Sequence, residues 1–197
     1  MTTPLPPSCC ACLANQTDDG RRALMRFAAA GLAAPLVWGA APAHAALPGA
    51  GDQLVEEDAE GAPQPLRASD LKPGKPMLAF PFDPKRGLVR NESRLNKVVL
   101  IKLAEADMPP ATRERSAGGV IAHSAICTHQ ACDVKTWMAK EKALVCFCHS
   151  SKFKLLEGGI VASGPATRAL PSLPLALNGE LLVVAGAFST PPGAPPS

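Results

Sequence analysis

An all-β domain is predicted for the chain beyond residue 76, built from short antiparallel strands. Two observations predict it. Apolar runs of five to eight residues recur along this part, each fitting a strand. Turn-forming residues, Gly-Gly, Pro and Asn178-Gly179 among them, separate one run from the next.

In chain order the runs are "MLAFPF" (77–82), "KVVLIKL" (97–103), "GVIAHSAI" (119–126), "ALVCF" (143–147), "GGIVAS" (158–163), "LPLAL" (173–177) and "ELLVVAG" (180–186). One or two helical turns are expected around "PPATRERSA" (109–117), with Pro110 able to occupy the first helical position. Residues 46–76 hold Gly, Pro and the acidic patch Glu56, Glu57, Asp58 and Glu60, then "LKPGKP". They are expected to form a solvated linker that enters the domain (77–188) near Met77. The tail "FSTPPGAPPS" offers little to bury, and residues 189–197 are expected to be disordered.

The first 45 residues follow a different grammar. Arg21 and Arg22 precede an apolar run from Phe27, and the stretch closes on Ala43, His44 and Ala45. An arginine pair, a short apolar region and a small-x-small site resemble a bacterial twin-arginine export signal. Residues 1–45 are therefore expected to direct export to the periplasm, either cleaved or retained as an anchor in the inner membrane. This segment carries three Arg and two Asp, leaving 17 basic against 15 acidic residues. So balanced a charge provides no basic stripe for nucleic acid.

Four of the seven cysteines and two of the four histidines lie in "CTHQAC" (127–132) and "CFCHS" (146–150), just after two predicted strands. Two loops thus each offer a thiolate and an imidazole: Cys127 with His129, and Cys146 with His149. Zinc is the commonest owner of a Cys2His2 set. Zinc fingers, however, place two cysteines on one arm and two histidines on the other. Mixed arms make better sense around a two-metal unit, with thiolates on one iron and imidazoles on the other.

These boxes resemble those of Rieske iron–sulfur proteins, usually C-T-H-x-G-C and C-P-C-H-G-S, and Gly164-Pro165-Ala166 resembles the family's proline loop. The resemblance runs from about residue 118 to 186. It implies an antiparallel β-sandwich with a cluster-binding subdomain formed by two loops. It further implies one [2Fe–2S] cluster, with Cys127 and Cys146 on the buried iron and His129 and His149 on the outer one. Cys132 and Cys148 would form a disulfide tying the loops together, as in the respiratory branch rather than the Rieske oxygenases.

Four departures stand out. Ala131 replaces the glycine of the first box, Phe147 the proline of the second, and Ser150 the glycine after the histidine. If those glycines adopt positive φ, Ala131 and Ser150 should strain their loops. High-potential members place a serine and a tyrosine hydroxyl against the cluster sulfurs. Ser151 matches the serine, but Phe153 holds the tyrosine position. A potential below the top of the Rieske range is therefore expected. His123 is expected to be an ordinary packed or surface histidine, and Trp137 and Met138 to pack a loop.

The resemblance implies one-electron transfer, with a larger oxidoreductase subunit or cytochrome b and c proteins as partners. Phe153 makes the chain similar to the small subunit of arsenite oxidase, a periplasmic relay. The alternative is the Rieske subunit of a quinol-oxidising cytochrome bc complex.

Overall fold

The structure is a computed structural model, and it describes residues 47–194. The described residues lie in the second of the chain's two units, Ala43–Ser197. The export signal expected over residues 1–45 lies outside the described residues. Among the described residues, no helix is long and apolar enough to cross a membrane.

The second unit is almost entirely β. Its large sheet runs through β10 (Ser172–Leu173), β5 (Val120–Ser124), β4 (Val98–Lys102), β2 (Pro76–Asp83), β1 (Gln53–Glu56), β12 (Leu181–Val184) and β11 (Leu175–Asn178), with β3 (Leu88–Val89) attached to β2. All its pairings are antiparallel. The strands β10 and β11 stand at opposite ends of that order, yet Pro174 alone separates them in sequence. One residue spans only about 3.5 Å, so the sheet must curl until its ends meet. The curled sheet encloses Leu54, Leu100, Val120, Leu173 and Leu182 in one core.

The small sheet, β6 (Thr136–Met138), β7 (Ala143–Cys146), β8 (Ser151–Lys154) and β9 (Ile160–Ser163), is likewise antiparallel. Its Leu144 and Phe153 share a second core with Val99, Ile101 and Ile121. This explains why "VVLI" in β4 is apolar without alternation. Val98 and Leu100 face the first core while Val99 and Ile101 face the second, so both faces of the strand are covered. One helical turn, α1 (Pro110–Arg113), has Pro at its first position, as expected.

Two expectations are corrected. The segment 46–76 does not act as a solvated linker over its whole length, because Gln53–Glu56 forms β1, between β2 and β12. Leu54, Leu66 and Leu71 from it are core residues. Asp52 fastens the segment through Arg90, whose Nε donates at 2.6 Å. The described part of the tail is also tied down. The Ser189 N–H donates to the Ser172 carbonyl at 2.9 Å, and Arg168 Nη2 donates to the Gly193 carbonyl at 2.7 Å. Few side chains need burial there, because backbone carbonyls make the contacts.

Candidate metal centre

Each box occupies the loop that follows a buried strand. The strand β5 leads into Cys127 and β7 ends on Cys146, so both sulfurs start from well-packed backbone and both are buried. The first loop is a tight turn: the Cys127 N–H donates to the Cys132 carbonyl at 2.7 Å, and the Ala131 N–H to the Cys127 carbonyl at 3.0 Å. Such closure forces Ala131 into the left-handed region, at φ 56°. The second loop is a hairpin tip of four residues, because Cys146 pairs directly with Ser151. Ser150 closes it at φ 61°. The conditional reading of the two glycine replacements is thus met: both non-glycine residues occupy a conformation that glycine adopts at least cost.

The loops converge. Cys132 and Cys148 form a disulfide that closes one loop upon the other. Cys127 and Cys146 remain free thiols. The imidazoles of His129 and His149 meet edge to face, with ring centroids 4.8 Å apart. His129 is half-buried and its Nδ1 is buried without a partner, whereas His149 is exposed. A buried ring nitrogen left orphaned is uncommon unless something outside the protein satisfies it. The Cys146 sulfur also lies within 4.8 Å of the two disulfide sulfurs, but those two are already bonded to each other.

Burial pushes the Cys127 thiol above its ordinary value. The His129 backbone N–H opposes this, and the neighbouring Cys146 thiol reinforces it. That N–H donates to the Cys127 sulfur at 3.4 Å, a contact that would stabilise charge on the sulfur. Two adjacent buried thiols and two facing imidazoles, one with an orphaned nitrogen, form the donor set that a [2Fe–2S] unit of mixed ligation needs.

The turn at Gly164 packs against the start of β8. Gly164 has φ +92°, and a Cβ there would lie 2.5 Å from the Ser151 Cα. Only glycine lets this loop approach so closely. Ser151 is fully buried, and its Oγ accepts from the Ala166 N–H at 3.2 Å. Its hydroxyl proton is therefore still available to donate. Phe153, two residues along β8, is wholly inside the core shared with Cys127 and Cys146.

Several contributors were not singled out from the sequence. Thr128 is completely buried, and its Oγ1 donates to the Arg168 carbonyl at 2.7 Å, pinning the first loop. Asp133, just past Cys132, accepts from Arg94 at 2.5 Å and from Lys97 at 3.1 Å. Burial works against its charge, but these two cations outweigh it and hold its carboxyl below the usual range. Neither residue carries a spacing signal, since their partners lie about forty positions away in sequence. His123 and Trp137 are placed elsewhere: His123 is buried in β5, and Trp137 packs against the second core from β6.

A family model for the Rieske [2Fe–2S] domain matches residues 66–174. The chain belongs to the Rieske family. As a member it is an electron-transfer protein that carries a [2Fe–2S] cluster. Its relatives include the cytochrome bc1 complex Rieske iron–sulfur subunit of Streptomyces lividans, 35% identical over 135 residues, which cover 66% of this chain and 79% of that one. The subunit of the same name from Corynebacterium efficiens is 34% identical over 140 residues, covering 66% of this chain and 33% of that one. The putative respiratory nitrate reductase subunit Rieske of Haloferax mediterranei is 34% identical over 125 residues, covering 62% and 53%. The chain therefore spans a third and about half of the length of these last two relatives. Among solved structures, the soluble domain of Rieske protein II from Sulfolobus acidocaldarius is similar at 22% identity and a TM-score of 0.37, over 51% of this chain and 68% of that one.

Proposed function

We propose that the chain is the one-electron relay subunit of an exported respiratory oxidoreductase, with the substrate chemistry on a larger partner. Cys127 and Cys146 would hold one iron of a bound cluster and His129 and His149 the other, and the exposed His149 edge would be where electrons pass to and from partners. The bound cluster supplies reversible one-electron transfer, and the chain supplies everything that tunes it. The disulfide and Thr128 keep the loops in register. The core around Phe153 excludes water from the inner side, while Ser151 offers a single hydroxyl to the sulfurs.

The observation that carries this reading is Phe153. It is fully buried, and it offers no hydroxyl where the high-potential pattern has one. Fewer hydrogen bonds to sulfur leave the reduced, more negative cluster less stabilised and its potential lower. A relay accepting electrons from a periplasmic enzyme, similar to the arsenite oxidase small subunit, suits such a potential.

A second reading has at least equal support: the Rieske subunit of a quinol-oxidising cytochrome bc complex, the name borne by most of the curated relatives. A redox titration of the purified protein at several pH values separates the two. A midpoint about 100 mV or more below the upper limit of roughly +300 mV supports the relay. A midpoint near that limit, falling as pH rises through neutrality, supports quinol oxidation instead.

A further inference from the structure

A cavity of about 350 Å³ lies between α1, β5 and the turn that follows β8. Its size falls within the range of small-molecule sites. Pro109, Ala111, Ile121, Leu155 and Leu156 give it apolar walls. Two basic side chains interrupt them. His123 is 98% buried, and neither of its ring nitrogens has a partner. Arg115 donates from Nε to the Ser172 hydroxyl at 2.9 Å and from Nη2 to the Ser172 carbonyl at 3.0 Å, and has no carboxylate partner among the described residues. Glu157, also on the lining, is paired with Lys154 at 3.1 Å. The Thr112 hydroxyl is engaged with the Leu156 carbonyl at 2.7 Å. The groups still open to a ligand are thus the Arg115 guanidinium, the His123 ring and the proton of the Ser172 hydroxyl.

We propose that this cavity binds a small monocarboxylate with an apolar body, its head group on Arg115 beside His123. The charge of Arg115 selects an anion, and the planar guanidinium suits a carboxylate. The neutral imidazole supplies one N–H at a place where an unmatched polar group is otherwise costly. The aliphatic walls take the body of the ligand out of water. The site lies outside the two ligand loops, so the proposal stands independently of the electron partner.

Titration calorimetry on the cluster-loaded protein tests it, with octanoate as probe and octylamine and octan-1-ol as head-group controls. One octanoate should bind per chain, and both controls should bind at least about tenfold more weakly. Ala111 is exposed on α1, so Ala111→Trp should fill the cavity mouth and abolish octanoate binding while the cluster spectrum stays unchanged. Arg115→Gln should remove the preference for octanoate over octan-1-ol. Absence of octanoate binding, equal binding of the three probes, or unchanged binding by Ala111→Trp would each overturn the proposal.

Discussion

Replacing Ser151 by Ala tests the tuning of the cluster at a single atom. The side chain is fully buried and its Oγ accepts from the Ala166 N–H at 3.2 Å, which leaves one hydroxyl proton to donate towards the sulfurs. A hydrogen bond to a charged acceptor is worth about 1.5–3 kcal/mol net, against about 0.5–1.5 for a neutral pair. Reduction adds negative charge to the cluster, so the bond should strengthen by about 1–1.4 kcal/mol on reduction. For a one-electron couple, 1.4 kcal/mol corresponds to about 59 mV. Ser151→Ala should therefore lower the midpoint by roughly 40–60 mV. Phe153→Tyr, adding a second hydroxyl from the same strand, should raise it by a similar amount. Potentiometric titration followed by electron paramagnetic resonance reads both shifts, with iron content measured on each sample. If Ser151→Ala keeps full cluster occupancy and its midpoint moves by less than about 10 mV, Ser151 does not donate to the cluster and the tuning argument collapses.

Three further outcomes are expected. Ala131→Gly and Ser150→Gly should each stabilise the protein by about 0.5–1 kcal/mol, since relief of left-handed strain exceeds the entropy that glycine adds to the unfolded chain. Thermal melts should shift upward accordingly, and a downward shift at both sites would show that the loops are not strained. His123 should stay neutral in the fold until the pH approaches about 3, because burial and, secondarily, Arg115 depress its pKa. The unfolded chain binds that proton near 6.5, so this stability is complete above 6.5 and is lost as pH falls towards 3. The loss is about 1.4 kcal/mol per pH unit, and His123→Leu should remove about 2 kcal/mol of the destabilisation seen at pH 5. Denaturant titrations at pH 7 and pH 5 measure it, and parallel losses in variant and parent would refute it. Thr128→Val should destabilise the first loop by about 1–2 kcal/mol, since the Arg168 carbonyl loses its donor. Faster release of iron to a chelator would show it, and an unchanged rate would mean that the disulfide alone holds the loop.

The residue types that this protein's chemistry needs were legible in its sequence, because soft ligands at short fixed spacing have few other uses. Cys127, His129, Cys146 and His149 all stand in two short boxes, each just after a recognisable apolar strand. The strands that escaped notice were short or broken up by polar residues. In β8, "SKFK" has two inward side chains between lysines, and β6 is only three residues long. In β1, Gln53 pairs with Val183, a partner 130 positions away that no local pattern announces. The tail is held by backbone carbonyls gripped by Arg168, which hydrophobicity does not register. Tertiary structure also decided the backbone conformation of Ala131 and Ser150, the burial of His123 and the pinning of Thr128. Residue type belongs to single positions and is written along the chain. Convergence, strain and burial depend on which distant segments meet, and only the folded sheets bring those segments together.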